Sequence, residues 1–191
     1  MRMLEKLSCN IFKKRVQRYL RTSDRKSSFV NYTQAKTILL IFESNYSEKN
    51  SETKRIIESL TTDGKKVVAI GYVNKKNCLS ATYPEYRVLC KKDLVIFQKP
   101  NQNILEYLLN CEYDLLIDIT KNSFLPLEYV VLYANAKCKA GMQKSNLGLY
   151  DFAVDIQRHL IENEISIDDL KFSFLFDQIL FYLKNIQSKD Y

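Results

Sequence analysis

Apolar and polar positions along this chain follow two different periods, and the switches between them predict its elements. Thr37-Ile-Leu-Leu-Ile-Phe42 is a continuous apolar run rich in branched side chains, the mark of a strand buried on both faces. Lys66–Tyr72, Leu94–Phe97 and Asp114–Ile119 repeat that signature. Between them the spacing changes to that of helices: about 50–62 with Ile56, Ile57 and Leu60, then 101–110, then Leu125–Ala136 with Pro126 tolerated in its first turn. Asp63-Gly64 closes the first of these, Gly64 being placed for a left-handed C-terminal cap. Arg87–Cys90, Cys138–Met142 and Tyr150–Ile156 read as shorter strands. The last 26 residues, with Ile167, Leu170, Phe174, Ile179, Leu180, Leu183 and Ile186, read as one long closing helix. Strands separated by helices imply βαβ crossovers and a mostly parallel sheet. The expected fold class is therefore α/β in three layers.

The start of the chain has its own pattern. Leu4, Leu7, Ile11, Phe12, Val16, Tyr19 and Leu20 follow steps of three and four, with basic residues largely between them. Residues 2–21 are thus predicted to form an amphipathic helix with a cationic face. Ser23, Asp24, Ser27 and Ser28 make a polar break after it. Charge sharpens the contrast. Of 29 basic and 22 acidic residues, nine and two fall in 1–30, which leaves 20 of each in 31–191. The whole excess of +7 sits in the first sixth of the chain. The expected organisation is a basic arm and linker, 1–30, and one α/β domain, 31–191, a length that suits a single core.

Composition narrows the function classes. Hydrophobic residues make up 46% and charged residues 27%, which excludes global disorder. No apolar run approaches the roughly 20 residues of a membrane span, and no apolar segment follows the basic start as in a secretory signal. The five Cys lack Cys-x-x-Cys spacing and are odd in number, which fits neutral thiols in a reducing cytoplasm. With one His, His159, a multi-histidine metal site is not expected, and His159 reads as a surface or interface residue. Neither a dinucleotide-type glycine loop nor a Walker A loop occurs, so no cofactor is expected.

Two loops at strand ends are candidates for a ligand edge, since open α/β sheets bind ligands beyond the C-terminal ends of their strands. The first runs from Glu43 to Lys49 and offers Ser44, Asn45 and Ser47 to a small polar ligand. The second joins Asp118 to Thr120, Lys121, Asn122 and Ser123, a carboxylate, hydroxyls, a cation and an amide suited to a phosphate or a sugar hydroxyl. Asp114 and Asp118, four apart, face the same side of a regular strand. Ser123 also suits a helix N-cap.

Asp114–Thr120, Leu125–Lys137, Cys138–Met142 and Tyr150–Asp155, with the basic start and the Thr37–Phe42 strand, resemble an uncharacterised family of small Bacteroidota proteins. That resemblance carries no activity. The same strand-helix-strand layout is similar to the N-terminal half of heptosyltransferase-type glycosyltransferases, through Asp114–Asp118 and Ala136–Gly141. This second likeness implies a Rossmann-like sheet.

These readings lead to a non-enzymatic adaptor whose basic helix meets a polyanion through Lys13, Lys14, Arg15, Arg18 and Arg21. RNA or the ribosome leads, because phosphates attract Lys and Arg without sequence demands. An anionic membrane surface is the close alternative, because interfacial helices share this pattern. An enzyme or sensor for a phosphorylated or nucleotide-sugar ligand at the strand edge is the other alternative. The aromatic C-terminal helix, with Phe172, Phe174, Phe176, Phe181 and Tyr182, is a candidate surface for a protein partner.

Overall fold

A computed structural model describes residues 3–23, 25–44, 51–77 and 86–186. Strands β1 (Thr37–Glu43), β2 (Lys66–Tyr72), β3 (Tyr86–Leu89), β4 (Tyr113–Asp118), β5 (Ala136–Met142) and β6 (Phe152–Val154) form one sheet. Their order is β3-β2-β1-β4-β5-β6, and every neighbouring pair is parallel. Ile38 of β1 lies opposite Val67 on one side and Leu115 on the other, so β1 and β4 form the centre. The chain builds outward from β1 through β2 to β3, then returns and builds the other way from β4. The order therefore reverses between β1 and β4, which is where such sheets open a crevice at their C-terminal edge.

Alternation along β1 sets the layers. Ile38, Leu40 and Phe42 point to one face, where they meet Ile57 and Leu60 of α2 (Ser51–Thr62) and Leu175, Ile179 and Leu183 of α6 (Phe172–Asn185). Leu39 and Ile41 point to the other, against Ile104 and Leu108 of α3 (Gln102–Asn110) and Val130 of α4 (Leu125–Tyr133). A strand apolar on both faces needs both covers, and the continuous Thr37–Phe42 run states that need. Gly71 of β2 sits against the Phe42 ring so closely that a Cβ there would fall 2.5 Å from the ring.

The helix α1 (Met3–Thr22) belongs to this second layer. Leu125 through Leu127 and Tyr129 through Leu132 of α4 are all buried, so α4 must be covered around its circumference. Phe12 and Val16 of α1 supply part of that cover, with the Phe12 and Tyr129 rings edge-to-face at 4.7 Å. Tyr19 meets Tyr133 in the same way at 5.4 Å. The linker is also held: Arg25 binds the Ala136 and Lys137 carbonyls and pairs with Asp151.

The helix caps follow expectation in part. Gly64 has φ 77°, and the N–H of Lys65 returns to the Leu60 carbonyl at 3.0 Å. Two expected elements differ. Leu94–Phe97 is not a sheet strand: Leu94 forms an isolated antiparallel bridge to Pro100, and Ile96–Gln98 is a 3-10 turn beside α1. Phe97 and Gln98 are left-handed, which breaks the extended conformation a strand requires. The closing helix starts later than expected: α6 begins only at Phe172, and the short helix α5 (Gln157–Glu162) stands before the expected segment. Ile167–Asp169 is a turn held by Ser166 bonded to the Asp169 carboxylate, so Ile167 and Leu170 precede the helix.

Candidate functional site

The cationic face of α1 is set by what the helix buries. Ser8, Phe12 and Val16 are buried and Tyr19 is half-buried, which directs the opposite side to solvent. Lys13, Lys14, Arg18 and Arg21 are exposed there, together with Lys6. Arg15 is half-buried, its guanidinium carbon 5.8 Å from the centre of the Tyr129 ring. Among the described residues no ion pair joins any of these six to a carboxylate. Their charge is therefore open to an external anion. Arg25 differs from them, since Asp151 and two carbonyls already use its guanidinium.

The second group lies at the C-terminal edge of the sheet, where the strand order reverses. Asp118 ends β4 and is buried. Its Oδ1 accepts the backbone N–H and hydroxyl of Thr120, at 2.8 and 2.7 Å. Its Oδ2 accepts the Lys144 ammonium at 3.0 Å and the Tyr150 hydroxyl at 2.5 Å. Lys144 also donates to the Thr120 hydroxyl. Burial, and then the Asp118 carboxylate, push the Tyr150 phenol well above its ordinary range. That phenol stays a neutral donor. Its ring covers Gly141, where a Cβ would lie 2.6 Å away.

Glu43, at the end of β1, faces the loop after β4. It accepts the N–H of Lys121 at 3.2 Å and the amide of Asn122 at 3.5 Å. Burial raises the Glu43 carboxyl, and its bonds to Lys121 and Asn122 only partly offset this. Lys121 turns its ammonium to the Asp168 carbonyl, 4.9 Å above the Phe172 ring. Ser123 bonds Glu128, and Phe124, not Ser123, takes the cap position of α4. Ser44 is buried beside Glu43, and its N–H donates to Tyr72; Asn45 and Ser47 lie outside the described residues.

The structure thus brings Asp118, Thr120, Lys121, Asn122 and Ser44 to one edge. It adds Glu43, Lys144 and Tyr150, which sequence spacing does not single out. Glu43 had one local signal, being the first polar residue after a fully apolar strand. Lys144 and Tyr150 had none, because parallel pairing of β4 with β5 and not chain distance brings them to Asp118. Asp114 occupies the opposite edge. Burial opposes its charge, yet bonds from Lys137 and the N–H groups of Lys36 and Thr37 hold it well below the carboxylate range.

A shallow cleft opens between α1 and the 148–149 loop, lined by Tyr19, Leu20, Arg25, Lys139 and Leu149. Lys139 is buried, and its ammonium donates to the Val131 and Leu132 carbonyls at the end of α4. Burial, helped by Arg25, pulls the Lys139 amine down to about 7. His159 stacks on Phe174 at 4.2 Å. Cys90 and Cys138 are buried, Cys9 and Cys111 half-buried, and none of the four is in a disulfide; Cys78 lies outside the described residues. Among the described residues no helix is long and apolar enough to cross a membrane.

An open all-parallel sheet with helices on both faces, a switch point between β1 and β4, and a docked basic helix define an α/β protein of Rossmann-like strand order. Residues 9–186 match the model of a family of unknown function, DUF6913, and the chain belongs to that family. No curated protein and no solved structure matches it.

Proposed function

We propose that this protein is a non-enzymatic adaptor that presents the outer face of α1 to a phosphate-bearing polyanion. The observation that carries the reading is Lys13, Lys14, Arg18 and Arg21, exposed on a helix whose other side is anchored by Phe12 and Val16. A basic helix fixed to a folded body offers phosphates a preformed array, and its charges need no rearrangement to bind. Charge alone points first to RNA, including ribosomal RNA. Five cysteines, odd in number and without Cys-x-x-Cys spacing, fit a reducing, cytoplasmic setting. The test replaces Lys13, Lys14, Arg18 and Arg21 with Gln and measures affinity for single-stranded RNA and for anionic vesicles across salt. For RNA, the slope of log affinity against log salt should flatten by about 0.7 per lost contact. Unchanged association with both polyanions would overturn the reading.

A second reading, a small phosphorylated or nucleotide-sugar ligand at the sheet edge, is favoured by one observation. Asp118 and Thr120 are buried at the switch point and bonded to the half-buried Lys144 and Tyr150. Thermal stabilisation of the native protein by nucleotide sugars would support that reading. No stabilisation of the native protein by any of them would reject it.

A further inference from the structure

One line of side chains on α1 changes character halfway along. Leu4, Leu7, Ile11, Lys14, Arg18 and Arg21 are separated by alternating steps of three and four, so they share one side of the helix. At 1.5 Å per residue this line is about 25 Å long. Its second half is cationic. Its first half is apolar and reaches solvent: Leu4 is 73% exposed and Leu7 46%, with Met3 beside them at 89%, and only Ile11 is half-buried. The buried stripe is a different one, Ser8, Phe12, Val16 and Tyr19. Packing against α4 therefore does not explain the leucines.

The turn that packs beside α1 also carries exposed apolar side chains. Val95 and Ile96 are 52% and 75% exposed, and the left-handed residues Phe97 and Gln98 follow them. A surface that sets large apolar side chains in line with unpaired cations has two things to satisfy. RNA phosphates satisfy the cations but leave the leucines in contact with water or charge. An anionic bilayer satisfies both, since its phosphates lie at the depth of the cations and its acyl boundary lies just below.

We infer that α1 is an interfacial anchor that lies along an anionic phospholipid bilayer, Leu4 and Leu7 entering the acyl boundary while Lys14, Arg18 and Arg21 meet the lipid phosphates. The inference rests on the reading of α1 as the polyanion-binding face and names its partner. The body stays folded on binding, because the residues that hold α1 to it are on the other side of the helix.

The experiment compares the full chain on phosphatidylcholine vesicles, on the same vesicles with about 30% phosphatidylglycerol, and on a single-stranded RNA. The anionic vesicles should bind and the neutral ones should not. Removing the three cations (Lys14→Gln, Arg18→Gln, Arg21→Gln) should lower partitioning by about fivefold per residue. Leu4→Ser with Leu7→Ser should lower vesicle partitioning at least tenfold and leave RNA affinity within twofold. Both leucines are exposed, so circular dichroism and the melting curve of that variant should match the native protein. Binding to RNA without binding to anionic vesicles would overturn the membrane inference and leave the polyanion reading standing. Binding to neither would overturn both. Vesicle binding indifferent to Leu4 and Leu7 would also overturn the anchor, since attraction would then be by charge alone.

Discussion

Lys144 Nζ lies 3.0 Å from Asp118 Oδ2, with both side chains almost wholly out of solvent. The pair joins the end of β4 to the loop beyond β5, and Thr120 and Tyr150 complete its hydrogen bonds. Breaking a buried pair on one side strands the other charge, a loss of about 3–5 kcal/mol, whereas removing both is far milder. Asp118→Ala and Lys144→Met should each destabilise strongly in urea unfolding, and the double variant should recover much of the loss. A coupling near zero in that cycle would mean that each charge is solvated without the other.

Glu43 is a carboxylate held where burial disfavours its charge. Its folded-state proton affinity is raised, so the unfolded chain loses this proton at lower pH than the folded chain. The carboxylate thus detracts from stability once pH exceeds its ordinary range, and the effect fades as pH falls below it. Glu43→Gln keeps an oxygen to accept the Lys121 N–H and removes the charge. The melting temperature at pH 7 should rise, by about 2–4 °C for each kcal/mol gained, and the gain should shrink towards pH 4. A gain of the same size at both pH values would refute the titration argument.

Lys139 presents the opposite charge in a similar position. Burial pulls its amine down to about 7 from 10.5, with Arg25 lowering it further and Asp151 opposing. Between those values the unfolded chain binds a proton that the folded chain does not, so stability rises with pH across that window. The rise should be clearest from pH 7 to 8; near pH 9 the Cys138 thiol, which burial raises in the fold, acts in the opposite sense. Chemical denaturation of the native protein and of Lys139→Met at pH 7, 8 and 9 gives the comparison. A native curve parallel to that of the variant would disprove a titrating Lys139.

Phe12 and Tyr129 touch across the α1–α4 contact, and truncating each should have opposite consequences. Phe12→Ala opens a cavity in the core and should destabilise by about 3–5 kcal/mol. The Tyr129 hydroxyl is buried with no hydrogen-bond partner among the described residues. Tyr129→Phe removes that unpaired group and should stabilise by about 1 kcal/mol. Both are read from equilibrium unfolding. A near-neutral Phe12→Ala would mean that α1 is not integrated with the core.

Much of the fold was legible in the sequence because its signals are local. The Thr37–Phe42 run, the Gly64 cap and the start of the helix at Leu125 each depend on neighbours within a few residues, and each stands where the local pattern placed it; that helix ends at Tyr133, short of the expected Ala136, which instead opens β5. Leu94–Phe97 misleads for the same reason. Four apolar residues satisfy a strand pattern, but β3 is the edge of the sheet and this segment instead turns beside α1. The single stripe assigned to the N-terminal helix is two stripes, because seven apolar residues span more of its circumference than one neighbour can cover. Only Phe12, Val16 and Tyr19 of that set turn inward with Ser8, and the all-round apolar surface of α4 selects them.

The sequence by itself determined the α/β class, the parallel sheet and the concentration of positive charge in the first helix. These are consequences of period and composition, which act along the chain and need no knowledge of what lies across it. Tertiary structure alone decided that Glu43, Asp118, Lys144 and Tyr150 gather at one edge. It also decided that Leu4 and Leu7 face outward beside the cations while Phe12 faces in. Those relationships depend on the strand order and register that bring β1, β4 and β5 together, and on which helix face its neighbours leave uncovered.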